Sequence, residues 1–225
     1  MGGLYYAIEG ISCCGKSTLI NLLKPRIGRA YPQLETVYTK EPGGAPVSDE
    51  IRKLVLHFPL DKGEMEPLTD AFLFAASRAE ALRKVIKPAL DRGALVISDR
   101  SRESSFAYQG YGRGLGLKIV KDINYYAVGD IVPNRVILLR ISPETCLARR
   151  AGRSEGNDRF DDKDLDFFRK VADGYDSLAK MDPARYWVFN GEMAQEPLAE
   201  MVWSRMRKEI EGRLIVEGQI RRERG

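Results

Sequence analysis

The stretch Gly10-Ile11-Ser12-Cys13-Cys14-Gly15-Lys16-Ser17 decides the fold. It joins a short apolar run, Leu4 to Ile8, to a segment from Lys16 to Ile27 whose apolar residues recur at helical spacing. Glycine, four free positions, then glycine, lysine and serine between a strand and a helix is an arrangement that wraps phosphate. The glycines let backbone N–H groups close on the anion, and the helix that follows presents its positive end. Lys16 then supplies a point charge at the β and γ phosphates, and Ser17 a hydroxyl ligand for Mg²⁺. Residues Gly10 to Thr18, including Ile11, Ser12, Cys13, Cys14 and Gly15, are therefore the expected ATP-binding loop.

Working outward, β-forming runs recur at Thr36 to Thr39, Leu95 to Ile97, Val136 to Leu139 and Tyr186 to Phe189. Helical patterns separate them over Asp70 to Leu90, Leu165 to Leu178 and Gln195 to Ile210. Short buried strands alternating with helices predict an α/β chain: a five-stranded parallel sheet flanked by helices in the three-layer fold of phosphate-loop NTPases. No linker or internal repeat divides the sequence, so residues 1–225 are expected to form one domain.

Composition narrows the chemistry. With 225 residues and 44% hydrophobic content, the chain can bury a core without staples. The single histidine, His57, and three cysteines, Cys13, Cys14 and Cys146, argue against a histidine-rich metal centre, a zinc ribbon or a disulfide framework. A Ser-His-Asp triad would have to use His57. An odd cysteine count with two adjacent suits a reducing compartment, and neither a leader-like start nor an apolar run of 18 residues occurs, so a cytoplasmic protein is expected. Cys13 and Cys14 near a helix start invite a redox or metal reading; the alternative is that they are small residues filling free loop positions.

The motifs that follow speak for the acceptor. They are Thr-Lys-Glu-Pro-Gly-Gly (Thr39 to Gly44), Ile-Arg-Lys (Ile51 to Lys53), Leu-Phe-Ala-Ala-Ser-Arg-Ala-Glu (Leu73 to Glu80) and the segment from Asp99 to Gly116 that opens Asp-Arg-Ser-Arg. Taken in order with the phosphate loop, they resemble the thymidylate kinase family of nucleoside monophosphate kinases, from about Ile8 to Tyr175. The resemblance implies phosphorylation of dTMP to dTDP by direct, Mg²⁺-assisted transfer from ATP, by a homodimer. The alternatives are a kinase for another deoxynucleotide such as dUMP, or a non-catalytic nucleotide-binding regulator.

Residue roles follow from the same resemblance. Phe74 would stack on the base, a contact worth roughly 1–3 kcal/mol in comparable stacks, and Arg78, four residues on, would reach the base O4. Arg52 and Arg100 would grip the acceptor phosphate, as planar guanidinium groups do in pairs. Asp99 would sit near Mg²⁺ through water. Ser105 and Gln109 would bond the pyrimidine edge, Tyr108 would fill the space of a ribose 2′-hydroxyl, and Glu41 would line the pocket.

The segment Glu144 to Asp162 gathers Arg149, Arg150, Arg153 and Arg159 among glycine, serine, asparagine and aspartate. It reads as a mobile basic loop, the family's lid at about 149–161. The resemblance implies a catalytic basic residue in either the lid or the phosphate loop; since Ile11 to Cys14 contain no Lys or Arg, the lid is expected to supply the charge, with Arg153 first and Arg149, also expected at ATP, second. Three departures from the family stand out: Ser12 where an acid is common, Ser101 where a ring often follows Asp-Arg, and Asp161 where Glu is more usual.

Net charge is +4, which at first suggests a polyanion partner. Residues 205–225, however, hold seven Lys or Arg against four Glu, leaving 29 basic and 28 acidic residues elsewhere. A nearly neutral body with a basic helix end points to small phosphorylated ligands, ATP and dTMP, and no specific nucleic acid.

Overall fold

The computed structural model describes residues 2–59, 63–152, 159–160 and 163–216. Five parallel strands form one sheet: β1 (Leu4–Glu9), β2 (Thr36–Lys40), β3 (Leu95–Asp99), β4 (Arg135–Arg140) and β5 (Tyr186–Asn190). They lie in the order β2-β3-β1-β4-β5. Every residue of β1 is buried, as its central place between β3 and β4 demands. Its side chains alternate between two cores. Tyr5 and Val96 face one that includes Ala75, Ile86 and Val128; Tyr6, Ile8 and Ile97 face another that includes Leu23, Val202 and Met206. That period of two places the helices on both faces.

The helices in chain order are α1 (Lys16–Ala30), α2 (Pro46–His57), α3 (Pro67–Ala81), α4 (Lys87–Asp91), α5 (Arg102–Ser105), α6 (Leu117–Val128), α7 (Pro143–Ala151), α8 (Leu165–Met181) and α9 (Gln195–Val216). The single helix expected over Asp70 to Leu90 is α3 and α4 joined by a π-helical turn, Leu82–Ile86. A second π-helical segment, Phe106–Gly112, follows α5. Such bulges displace side chains from the ordinary helical stripe and gather at functional sites; this second one carries Tyr108 and Gln109.

One expectation is corrected here. The first part of the anticipated basic loop is helical: Ser142 caps α7 by accepting from the Thr145 N–H at 3.1 Å, with Pro143 at the first turn. Arg149 and Arg150 are thus helix residues. The cap signal precedes the glycine-rich stretch, and a serine cap with proline just inside sets a helix start. The basic end of α9 is partly packed: the Arg205 guanidinium lies 4.5 Å from the Trp187 ring centroid, and Arg207 pairs with Glu211 at 2.7 Å.

The chain turns from the β2/β3 side of the sheet to the β4/β5 side across β1. Ligands of open α/β sheets bind outside the carboxyl ends of strands at such a switch point. The loops after β1 and β3 meet there.

Candidate active site

The phosphate loop leaves β1 through Gly10, whose φ is +143°; a Cβ there would stand 2.5 Å from the Leu139 carbonyl oxygen and 2.7 Å from Cys14 Sγ. Only glycine fits. Gly15, at φ +97°, precedes α1, and Lys16 opens that helix with its Nζ 3.8 Å from Cys14 Sγ. Asp99 ends β3 in register with Ile8 of β1. Ser17 Oγ consequently reaches it, donating to Oδ2 at 3.2 Å. A hydroxyl and one carboxylate beside a phosphate loop are a donor set that suits Mg²⁺, which takes its other ligands from phosphates and water. Among the described residues, no group of three or more His, Cys, Asp or Glu side chains is placed to hold a metal ion. Cys13, Cys14 and Cys146 instead pack in the main core. A hydrogen bond with Cys13, together with burial, pushes the Cys146 thiol well above its usual pKa, the mark of an inert packing thiol.

Beside the loop opens a cleft of about 490 Å³ including its mouth. Ser12, Glu41, Arg52, Phe74, Arg100, Tyr108 and Gln109 all line it. Six of these are residues expected at the acceptor, and Ser12 belongs to the expected ATP-binding loop. Pro42, Leu56, Ser104 and Phe160 complete it. Phe74 and Phe160 approach with ring centroids 6.1 Å apart, giving the cleft an aromatic end. Arg52 Nη1 is anchored on the Pro42 carbonyl at 2.7 Å. Arg100 sits at φ +77°, a conformation costly for a side-chain-bearing residue. Two bonds hold it there: its N–H to the Ile8 carbonyl at 3.0 Å and its own carbonyl from Ser98 Oγ at 2.6 Å. Its guanidinium donates to the Gly10 carbonyl and Ser104 Oγ, both at 3.0 Å, and to the Tyr175 and Tyr108 hydroxyls at 3.3 Å. The fork is locked in place at the junction of loop and cleft.

Comparison with known proteins agrees with this geometry. The family model described as Thymidylate kinase matches residues 8–202. The thymidylate kinase of Kosmotoga olearia is 38% identical over 199 residues, covering 88% of this chain and 93% of that protein. That of Lactobacillus acidophilus is 40% identical over 205 residues, covering 90% and 91%. The chain belongs to the thymidylate kinase family. The crystal structure of thymidylate kinase from Ehrlichia chaffeensis superposes with a TM-score of 0.72 at 27% identity, covering 92% of this chain and 99% of that one.

Two residues expected at the base lie behind the cleft wall rather than along it. Arg78 and Ser105 are absent from the cleft lining. Arg78 is 2% exposed and spends its donors inside the protein. Nε bonds Glu41 Oε2 at 2.6 Å, Nη1 bonds Ser105 Oγ at 3.1 Å and Asn124 Oδ1 at 2.5 Å, and Nη2 bonds the Ser101 carbonyl at 3.2 Å. Four of its five N–H groups are used, so it braces the Glu41 wall from behind. Burial pushes the Glu41 carboxyl up while Arg78 pulls it down; Glu41 Oε1 has no partner among the described residues.

The basic stretch divides. Arg153 lies outside the described residues, as does Asp161. Arg149 Nη1 donates to the Cys13 carbonyl at 3.2 Å and Nη2 to the Gly191 carbonyl at 3.1 Å, which places it against the phosphate loop. Arg159 turns inward to an ion pair with buried Asp70.

Glu9 was not anticipated. It directly follows the apolar run Leu4 to Ile8, yet it is completely buried beneath Arg100. Its carboxylate accepts from the Ser101 N–H at 2.7 Å, the Ser104 N–H at 3.2 Å, Ser104 Oγ at 2.6 Å and the Tyr175 hydroxyl at 2.7 Å. Tyr175 and Tyr108 thereby supply the aromatic surroundings of Arg100 that Ser101 does not. Burial outweighs the Arg100 cation and pushes the Glu9 carboxyl up to about 7. A carboxyl whose pKa is raised on folding favours the folded state below its unfolded value and loses that contribution as pH rises through the folded one. Stability should therefore fall between about pH 4.5 and 7 by about 3 kcal/mol from this group alone. Urea melts of wild type and Glu9→Gln across that window check it; parallel curves would remove Glu9 as the source.

Proposed function

We propose that this chain transfers the γ-phosphoryl group of ATP to the 5′-phosphate of dTMP, releasing ADP and dTDP. One observation carries the reading: a single cleft runs from the aromatic end at Phe74 to Arg52 and Arg100, and meets the phosphate loop at Ser12. A flat face for a base and two guanidinium groups for a phosphate suit a nucleoside monophosphate. The loop beside them suits the donor. An acceptor phosphate oxygen would form the new bond to the γ-phosphorus as the bond to the ADP oxygen breaks. Alignment supplies most of the barrier lowering, so no covalent enzyme intermediate is needed. Lys16 and the loop N–H groups hold the donor phosphates; Arg52 and Arg100 orient the acceptor. Ser17 and Asp99 would hold Mg²⁺, which when bound neutralises charge on the β and γ phosphates.

We read residues 1–225 as one working unit with 149–161 as its lid. Charge at the transferring group is assigned to Arg153, with Arg149 second because of its position on the Cys13 carbonyl. The cytoplasm is the setting that an odd number of cysteines, two adjacent, suits best. Among the described residues no helix is long and apolar enough to cross a membrane. A homodimer is supported by exposed apolar side chains on neighbouring helices, among them Leu54 of α2, Phe72 of α3 and Tyr126 of α6. Sedimentation at about twice the 25.3 kDa chain mass is expected; a monomer at micromolar concentration would overturn it.

A coupled ADP assay with dTMP, dUMP, dCMP and dGMP tests the central reading. dTMP should be the best acceptor, and Lys16→Ala should remove nearly all turnover. If dTMP were the poorest acceptor, or if wild type made no more ADP than that variant, the proposal would fail.

A further inference from the structure

We propose that Asp70 sets which pyrimidines the acceptor cleft takes, by fixing the orientation of the Gln109 side-chain amide. The inference rests on the dTMP reading and adds a positioning residue to it. Gln109, 1% exposed, lines the cleft from the second π-helical segment. Its Nε2 donates to Asp70 Oδ2 at 3.0 Å. Asp70 is completely buried in the first turn of α3, and its Oδ1 accepts from Arg159 Nη2.

The chemistry of the partners dictates the amide's direction. An ionised carboxylate has only lone pairs to offer, so of the two ends of the amide only the NH₂ can face it. Arg159 faces that carboxylate as its ion-pair partner; burial pushes the carboxyl up and the guanidinium opposes it. Arg159 is itself tethered, its backbone N–H to the Leu56 carbonyl at 3.0 Å and its Nε to the Val55 carbonyl. With NH₂ turned to Asp70, the carbonyl oxygen is the end of the amide that Gln109 has left to offer the cleft it lines. Asp70 and Phe74 are four residues apart on one face of α3, and Gln109 lines the same cleft as the ring on which a base would stack.

An acceptor at that place selects ring chemistry. Thymine and uracil carry a hydrogen on N3; cytosine carries a lone pair there. A cytosine would set two acceptors against each other in a buried site, where unmade hydrogen bonds are costly. The selection depends on Asp70 because an unrestrained glutamine could turn its NH₂ to the base and accept cytosine.

Equilibrium titrations of wild type and Asp70→Asn with dTMP and dCMP, beside turnover with each, test this. The substituted side chain can offer either end of its own amide to Gln109, so the dTMP-to-dCMP affinity ratio should fall by about tenfold, chiefly through stronger dCMP binding. A general loosening of the cleft would weaken both nucleotides and leave the ratio in place. A folded Asp70→Asn protein, judged by circular dichroism, whose ratio falls less than about threefold would overturn the inference. Should that variant not fold, wild type decides with N3-methyl-dTMP, in which a methyl group replaces the donor hydrogen: binding about 100-fold weaker than dTMP is expected, and equal binding overturns it. A changed ratio without dTDP formation would sink the kinase reading alone, whereas dTDP formation with an unchanged ratio would sink this inference alone.

Discussion

Replacing Arg100 by alanine is expected to lower kcat/KM for dTMP by about 10²- to 10³-fold, the scale on which a preorganised donor to transition-state charge acts. The residue is held at φ +77°, and its guanidinium is fixed by four acceptors around the junction of loop and cleft. Little ordering remains to be done when a phosphate arrives, which is why the loss should be large. Alanine would also leave Glu9 buried with its hydrogen-bond donors but without the cation 3.9 Å away. That carboxyl, already raised to about 7 by burial, would rise further and be protonated at neutral pH. Arg100→Lys should recover only part of the activity, since an ammonium cannot reproduce the planar fork. Steady-state kinetics with dTMP varied at saturating ATP check both variants. An alanine variant within about tenfold of wild type would exclude Arg100 from the acceptor site.

How far the sequence revealed this arrangement depends on how local each signal is. The phosphate loop was legible because its chemistry is written in eight consecutive residues, Gly10 to Ser17, with a strand before and a helix after. The alternation of short strands and helices led to the sheet for the same reason. Glu9 was not legible: its partners are Ser101, Ser104 and Tyr175, the last 166 positions away, and a glutamate ending an apolar run looks like a strand leaving the core. Asp70 was hidden in the same way, as one acid in a helical pattern. Its partners Gln109 and Arg159 come from the second π-helical segment and from beyond α7. The partners of Arg78 were hidden likewise. Its spacing from Phe74 is right for a shared face, but Glu41, Ser105 and Asn124 converge on it from three other elements and take its donors. In the basic stretch after β4 the glycine and asparagine content points to a loop, while the Ser142 cap just before it makes the first part helical.

The same convergence makes Arg78 the residue whose loss should cost the most stability. Arg78→Ala is expected to destabilise the fold by about 3–5 kcal/mol, because breaking one side of a buried ion pair leaves the other charge uncompensated. Glu41 is as buried as its partner, and its second oxygen already has no partner among the described residues. Burial pushes its carboxyl up and Arg78 is the largest influence opposing that, so without Arg78 the folded-state pKa rises further. The sign of the pH dependence follows: a raised folded pKa costs nothing below the unfolded value and costs most above the folded one. The deficit of Arg78→Ala should therefore be full at alkaline pH and shrink towards about pH 4.5, where Glu41 is neutral in both states. Adding Glu41→Leu should recover part of the loss, since replacing both partners by apolar groups removes the uncompensated charge. Urea unfolding of the two variants at about pH 8 and about pH 5 checks this. A loss under about 1 kcal/mol at the alkaline end, or one that grows towards acid, would mean that Arg78 and Glu41 do not depend on each other.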